Sequence, residues 1–492
     1  MKSIEQLVPS SELQQTKVAV GTSLTAITDN SEKVTPGAVF FAVRGTRSDG
    51  HRFIPQALAR GASAIVVEEA SEFPLHPHTI LVSSSRLALA RAACRWYDEP
   101  TQRLHLVGVT GTNGKTTTTY LLKSLWSGLA ITSGIIGTVE YQIGTKREPS
   151  RLTTPDALGL QSLFSQMVSA GVTHAAMEVS SIALDQFRVG GSQFEVALFT
   201  NLTQDHLDYH ADFESYYQAK RRLFLDYPLR VGAVNLDDPW GRRLYQELPS
   251  GKRLGFSLSQ QNSDFSVQDP VFSKAGTKAI VQTPAGIVPL FSPLIGKHNL
   301  YNTLGALTVA YALGQDLRVA AQALESAPGA PGRLERVMIG TQYPNIFVDY
   351  AHTEDALLNV LRALSELKGQ QAGRIFTVFG CGGDRDRSKR SHMAEVASSW
   401  SDVTIATSDN PRTEDPDRIV DDVEQGIRRD KTRYHRETNR REAIYWALAQ
   451  AGPEDIVLVA GKGHETYQII GHEQFPFDDR EVIRDYYRGL LS

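Results

Sequence analysis

At 492 residues the chain has room for about three domains, each large enough to bury its own core. Its 41% apolar and 22% charged residues are ordinary for a globular protein, and a net charge of −4, from 51 basic against 55 acidic side chains, excludes the electrostatic footprint of a nucleic-acid binder. Cys94 and Cys381 stand far apart without metal spacing, which excludes a disulfide framework; Met1–Ser11 carries charges without an apolar core, and no run reaches the ~20 apolar residues of a membrane span, so a cytoplasmic protein with no membrane partner is expected.

The first stretch offers two short buried strands, Val39–Val43 and Ala64–Val67, with a helix over Phe53–Arg60 between them, and closes at the polar break Asp98-Glu99-Pro100. Leu104–Val109 then predicts a buried strand, and Tyr120, Leu121, Leu122, Leu125 and Trp126 fall at helical spacing. Between them runs Gly108-Val-Thr-Gly-Thr-Asn-Gly-Lys-Thr-Thr-Thr-Thr119. A glycine-rich turn from strand to helix points several backbone N–H groups at one spot, where the helix dipole also favours negative charge. Lys115 adds a mobile cation for outer phosphates, and the Thr116 hydroxyl, followed by Thr117, can ligate Mg²⁺. Val109 stands where the generic phosphate loop has its first glycine, and Gly111 supplies the permissive backbone instead. Strand, loop and helix agree, which favours a nucleoside-triphosphate site over a bland glycine-rich turn followed by an ordinary lysine.

Thr173–Met177, Val196–Thr200 and Gly232–Asn235 are strand-like, with helical stretches such as Tyr216–Leu225 between them, so a mostly parallel sheet covered by helices is expected. Glu178, at a strand end close to the phosphate loop, suits Mg²⁺. After the next strand comes Asn201-Leu-Thr-Gln-Asp-His206-Leu-Asp-Tyr-His210. His206 could reach a second cation if the two tips adjoin; alone, His206 and His210 read as a polar cap and a surface histidine, and Lys220 as a plain helix-face lysine. The run Ser326–Gly332, rich in Ala, Pro and Gly, is the clearest linker. Beyond it, Ile346–Tyr350, Arg374–Gly380, Asp402–Thr407 and Asp455–Ala460 predict four strands. Their tips are Asp349-Tyr-Ala-His352, Cys381-Gly-Gly-Asp-Arg-Asp386, Ser408-Asp-Asn-Pro-Arg412 and Gly461-Lys-Gly-His-Glu465. Any one is ordinary loop polarity, but a parallel sheet gathers strand ends on one edge, where such sheets bind ligands. The expected class is α/β in three domains: a small α/β domain at 1–99, a central P-loop ATPase domain with a mostly parallel sheet at 100–330, and a Rossmann-like α/β domain at 331–492.

Thr110-Gly-Thr-Asn-Gly-Lys-Thr-Thr, Glu178-Val-Ser-Ser, Thr200-Asn-Leu-Thr-Gln-Asp-His-Leu-Asp, Gly296-Lys-His-Asn299, Pro331-Gly-Arg-Leu-Glu335 and Asp349-Tyr-Ala-His352 occur in the order seen in the Mur ligase family, which the chain resembles along its whole length. Gly382-Gly-Asp-Arg-Asp386, Asp409-Asn-Pro-Arg412, Gly461-Lys-Gly-His-Glu465 and Phe477-Asp-Asp-Arg480 make it similar to the MurE type, the UDP-N-acetylmuramoyl-tripeptide synthetases. The resemblance implies an ATP- and Mg²⁺-dependent ligase, a cytoplasmic monomer, that phosphorylates a carboxylate and lets an amine attack the acyl phosphate. It implies catalytic roles for Lys115, Lys220, His206 and Arg333, with Thr116, Glu178, His206 and a carbamylated Lys220 at the metal, and nucleotide contacts from Gly111, Thr112, Asn113, Gly114, Lys115, Thr116, Thr117, Asn299 and Asp349. It implies that Ser31, Thr46, Arg47, Ser48, Thr153, Thr154, Ser180, Gln186 and Arg188 hold the UDP-N-acetylmuramoyl dipeptide. The chain departs from the family pattern at Glu32, Ile182, Ser388 and Ser391, which bears on substrate contacts more than on the reaction. Asp-Asn-Pro-Arg resembles the motif of relatives that add meso-diaminopimelate, with Arg385, Asp409, Asn410, Pro411, Arg412, Gly461 and Glu465 as the amino-acid site. The chemistry agrees: a guanidinium can grip the distal carboxylate of diaminopimelate bidentately and would repel the terminal cation of lysine. Arg412 as a solvated residue at a helix start, a lysine-adding enzyme, another ligase such as a folylpolyglutamate synthase, and a non-catalytic nucleotide-binding relative stay open as alternatives.

Overall fold

The computed structural model describes residues 1–45, 48–68, 77–206, 209–369 and 372–491. Thr46 and Arg47, expected at the UDP end, and Leu207 and Asp208 lie outside the described residues. Among the described residues the chain forms three successive α/β units, each on its own sheet, which is the fold class expected above. No described helix is long and apolar enough to cross a membrane.

The first sheet orders Leu13–Thr16, Thr79–Val82, Ala64–Val67, Ala38–Phe41 and Ala26–Thr28, all parallel except the first. Ala38–Phe41 and Ala64–Val67 are buried along their whole length, so their apolar runs were legible. Ser84 caps the helix Ser85–Trp96 that closes this unit against the next.

Among the described residues the central sheet has 11 strands, and His105–Thr110 lies inside it between His174–Glu178 and Phe194–Phe199, parallel to both. Side-chain alternation sends Leu106 to one face and Val107 and Val109 to the other, and both faces are packed. Helices Lys115–Gly128, Lys297–Ala312 and Leu317–Leu324 pack on the Val107 side; Ala157–Ser169, Phe213–Leu225 and Pro239–Glu247 pack on the Leu106 side. Antiparallel strands extend both ends: Glu140–Ile143 with Lys146–Pro149, and Gly276–Thr283 with Gly286–Ser292. The parallel arrangement places the ends of His105–Thr110, His174–Glu178 and Phe194–Phe199 on one edge.

The last sheet orders Glu335–Val337, Asn345–Asp349, Ile456–Ala460, Ile375–Phe379, Val403–Ala406 and Arg433–Arg436. Its four middle strands are the four expected ones, mutually parallel, so their tips share an edge. Arg433–Arg436 (Arg-Tyr-His-Arg) adds a parallel edge strand that carries no apolar run.

Candidate active site

Gly111, at φ 147, starts the loop in a conformation open to glycine, and a side chain there would collide with Thr200 Oγ1. The next strand tip fixes the loop from beside it. Thr112 N donates to Asn201 O (2.9 Å), Asn113 N to Asn201 Oδ1 (2.9 Å), and Thr200 Oγ1 to Asn113 O (2.7 Å). The Thr112 and Asn113 amides are thus both engaged with Asn201. The donors left for a phosphate are those of the first turn of the helix Lys115–Gly128, whose N–H groups have no partner within the helix. Lys115 Nζ donates to the carbonyls of Gly111 and Thr112, 2.8 Å each, and burial lowers its pKa against the charges of Glu178 and Asp205.

Glu178 is buried at the end of its strand. It accepts from Thr138 N (2.7 Å), Thr138 Oγ1 (3.0 Å) and Thr116 Oγ1 (3.0 Å). Thr116 Oγ1 also accepts from Arg333 Nη2 at 3.2 Å, so the residue after the linker reaches the phosphate loop. Lys220 is no surface lysine: it is buried, its Nζ donates to Gly111 O (2.9 Å) and lies 4.5 Å from the centre of the Tyr216 ring. Burial, and then the positive charge of Lys115, drive its pKa well below the ordinary lysine value. His210, read alone as a surface histidine, is also buried, its Nε2 2.9 Å from Ser181 Oγ. His206, at φ 55, stands 3.5 Å from Asp205 Oδ2. Burial acts to raise the Asp205 carboxyl, but His206, His352 and Lys115 together hold it below its usual value.

Among the described residues no three His, Cys, Asp or Glu side chains converge as a ready-made metal cage. A threonine hydroxyl hydrogen-bonded to a single carboxylate, beside a phosphate cradle, suits Mg²⁺, which keeps waters and borrows phosphate oxygens, and does not suit Zn²⁺.

Thr153, Thr154, Ser180 and Arg188 line the same cavity of about 700 Å³ as Lys115, Glu178, His206, Lys220, Asn299, Arg333 and Asp349. Thr154 Oγ1 donates to Glu178 O (2.8 Å), and Arg188 bonds Thr154 O (2.9 Å) and Gln186 Oε1 (2.9 Å). Ser31 and Ser48 do not line it; Ser31 Oγ donates to Gln56 Oε1 (2.7 Å) within the first unit. Sequence reading missed Asp237, which also lines the cavity and accepts from Tyr301 OH (2.8 Å) and Leu258 N (2.8 Å).

A second cavity, about 640 Å³, gathers all four tips of the last sheet, with Arg385, Asp409, Asn410, Arg412, Gly461 and Glu465 in its walls. Arg412 is not at a helix start: Asp415 caps the next helix, Pro416–Glu424. It sits at φ 51 with its backbone bonded to Ile469 O and its Nη1 donating to Gly383 O at 2.8 Å. Two residues overlooked in the sequence build this wall. Lys462, fully buried, donates to Glu465 Oε2 (2.9 Å) and Asn410 Oδ1 (3.2 Å). Glu414 holds Arg390 (2.8 Å), Arg387 (2.7 Å) and the Asp384 amide (2.6 Å), leaving Arg385 of that loop at the cavity. Behind them Arg440, fully buried and paired with Asp479 (2.7 Å), donates its Nη2 to Ala460 O (3.0 Å), at the base of the Gly461 tip. Such a pair is costly to break, about 3–5 kcal/mol when one partner is removed. Asp205, His206, Tyr350, His352, Thr353 and Asp355 line both cavities, so the phosphate cradle opens onto the four tips.

Residues 109–310 match the Mur ligase middle domain, residues 332–463 the Mur ligase glutamate ligase domain, and residues 23–97 the Mur ligase family catalytic domain. The chain is 45% identical over 485 residues to the UDP-N-acetylmuramoyl-L-alanyl-D-glutamate--2,6-diaminopimelate ligase of Geobacter sulfurreducens, covering 94% of each. A solved structure of a ligase so described superposes with a TM-score of 0.72 at 34% identity, covering 100% of this chain and 99% of that one. A MurF ligase from Thermotoga maritima in complex with ADP shares the fold, with a TM-score of 0.60 at 20% identity over 96% and 98% of the two chains.

Proposed function

The chain belongs to the Mur ligase family, and from that premise we propose that it joins meso-diaminopimelate to the D-glutamate γ-carboxylate of UDP-N-acetylmuramoyl-L-alanyl-D-glutamate, with ATP consumed through an acyl phosphate, in cytoplasmic peptidoglycan precursor synthesis. The observation that carries the reading is the shared wall of the two cavities, which lets a carboxylate activated at Lys115 and Arg333 meet an amine seated at Arg385, Arg412 and Glu465. Phosphoryl transfer needs charge neutralisation and alignment more than covalent help. Lys115 and the first-turn amides neutralise the outer phosphates, and Arg333 draws the transferring group toward the substrate carboxylate. Thr116 and Glu178, with His206, would hold Mg²⁺, which when bound neutralises the phosphate charge. Lys220 fits carbamylation: a buried amine driven toward its neutral form can attack CO₂ and lose a proton, turning a cation that would repel the metal into a carboxylate-like group. Thr153, Thr154, Ser180, Gln186 and Arg188 hold the substrate beside Glu178, and Ser31 and Ser48 reach its uridine end in the first unit. The protein acts as a monomer in this reading.

Phosphate release from ATP that requires both the UDP-muramoyl dipeptide and an amine tests the proposal. With purified protein, meso-diaminopimelate is expected to outperform L-lysine and L-ornithine. Preference for lysine would overturn the amine assignment and leave the ligase; release without either acceptor substrate would sink the ligase.

A further inference from the structure

Arg333 enters the phosphate cradle from the last unit, and its own neighbours in sequence are held by that unit. Gly332 N donates to Glu335 Oε2 (2.7 Å), and Gly332 O accepts from Tyr350 N (2.9 Å). At φ 65 Gly332 packs so closely that a side chain there would strike the backbone of His464. Leu334, at φ 45, is held in the left-handed region by donating its amide to Asp349 Oδ2 (2.5 Å). The Arg333 guanidinium lies 4.6 Å from the centre of the Tyr350 ring, which also meets the His352 ring at 4.7 Å and the His464 ring at 5.0 Å.

One residue ties this turn to the amine pocket. Arg480, at the start of the last helix, donates Nη1 to Glu335 Oε2 (3.3 Å) and Nη2 to His464 O (3.2 Å). Asp478 steadies the guanidinium through Nε (2.8 Å) and Nη2 (2.7 Å). Arg480 lines neither cavity.

We infer that Arg480 is a positioning residue: acting through Glu335, it locks the Gly332–Arg333 turn against the Gly461–Glu465 tip, so that Arg333 and the amine pocket travel as one rigid piece. The inference rests on the ligase reading above. Its consequence is that Arg333 is aimed at Thr116 only when the walls of the amine pocket are also in place, which links activation of the acid to the position of the pocket rather than to Arg333 alone. Swing between the units then falls before Gly332, in the run Ser326–Pro331.

Arg480→Met tests it by a split in kinetic constants and a double-mutant cycle. Misplacing a catalytic group by about 1 Å costs roughly 100-fold, so kcat is expected to fall about 10- to 100-fold while the KM values for ATP and diaminopimelate stay within about twofold. In an Arg333→Ala background, Arg480→Met should lower kcat little further, because the group it aims is gone. Equal losses in both backgrounds, or a raised diaminopimelate KM with unchanged kcat, would overturn the inference. Glu335→Gln, which keeps shape and removes the charge, should show the same non-additivity with Arg333→Ala and serves if Arg480→Met folds poorly. An unaltered protein that makes no amide overturns the ligase reading and this inference with it; an active parent with additive losses overturns this inference alone.

Discussion

In the phosphate cradle the residues from Gly111 to Thr116 follow one another along a single turn, and the strand tip at Thr200–Asn201 merely braces them. In the second cavity, the amine pocket proposed above, Arg385, Arg412 and Glu465 come from three separate loops that meet because three parallel strands end on one edge. The first site is local chain geometry of a kind that suits a triphosphate. The second is a product of topology, stiffened by ion pairs: Lys462–Glu465, Arg390–Glu414 and, behind them, Arg440–Asp479. Generic chemistry can be carried by contiguous backbone; discrimination between similar amines calls for charged side chains fixed from several directions.

The sharpest way to break this contrast is at Lys115. Lys115→Met should lower kcat by about 1000-fold with every amine tested, since it removes a preorganised charge from the transferring phosphate. An effect that varied with the amine would mean the two sites are not functionally separate. Lys220→Ala comes next, with a loss of roughly 100-fold. If the carbamate is real, added acetate or formate should recover part of that loss, and stripping CO₂ from the buffer should slow the parent but not the variant. Arg412→Ala should be smaller still and confined to one substrate: roughly a 30-fold fall in kcat/KM for diaminopimelate, with the Kd for a non-hydrolysable ATP analogue unchanged. Equal loss on both measurements would remove Arg412 from amine recognition.

The same contrast explains how much was legible. The strand, loop and helix around Lys115 announce themselves in order, and the apolar runs of the four middle strands in the last sheet put their tips on one edge once parallel pairing is assumed. Arg433–Arg436 could not be read, because a half-exposed edge strand needs no apolar run. Lys220 and His210 looked like surface residues because their burial is decided by the Phe213–Leu225 helix packing under the phosphate loop, which no local pattern records. The bracing of the Thr112 and Asn113 amides could not be read for a related reason: the Asn201 side chain and carbonyl that engage them follow a strand almost ninety positions away. Lys462 and Glu414 are ordinary charges in sequence and become structural only as partners of Glu465 and Arg390.

Asp349 gives the smallest effect and joins the two regions, since it holds the Leu334 amide next to Arg333. Burial raises its pKa to about 6, against the pull of Arg333 and of the Leu334 and Ala351 amides. An unfolded aspartate keeps its proton only below about 3.9, so between about 4 and 6 the native state binds more protons than the unfolded one. Stability from this group is therefore present at low pH and lost as pH rises through about 6. Activity should run the other way. Below pH 6 the protonated carboxyl is a weaker acceptor for Leu334 and no longer attracts Arg333, so kcat should fall a few-fold, by roughly 4-fold from its high-pH value at half a unit below the midpoint. Asp349→Asn should flatten both limbs together: the denaturant midpoint would lose its rise toward acid and kcat its acid-side decline. A variant that kept the acid-side decline in kcat would show that another group carries it, and that the turn holding Arg333 does not respond to Asp349.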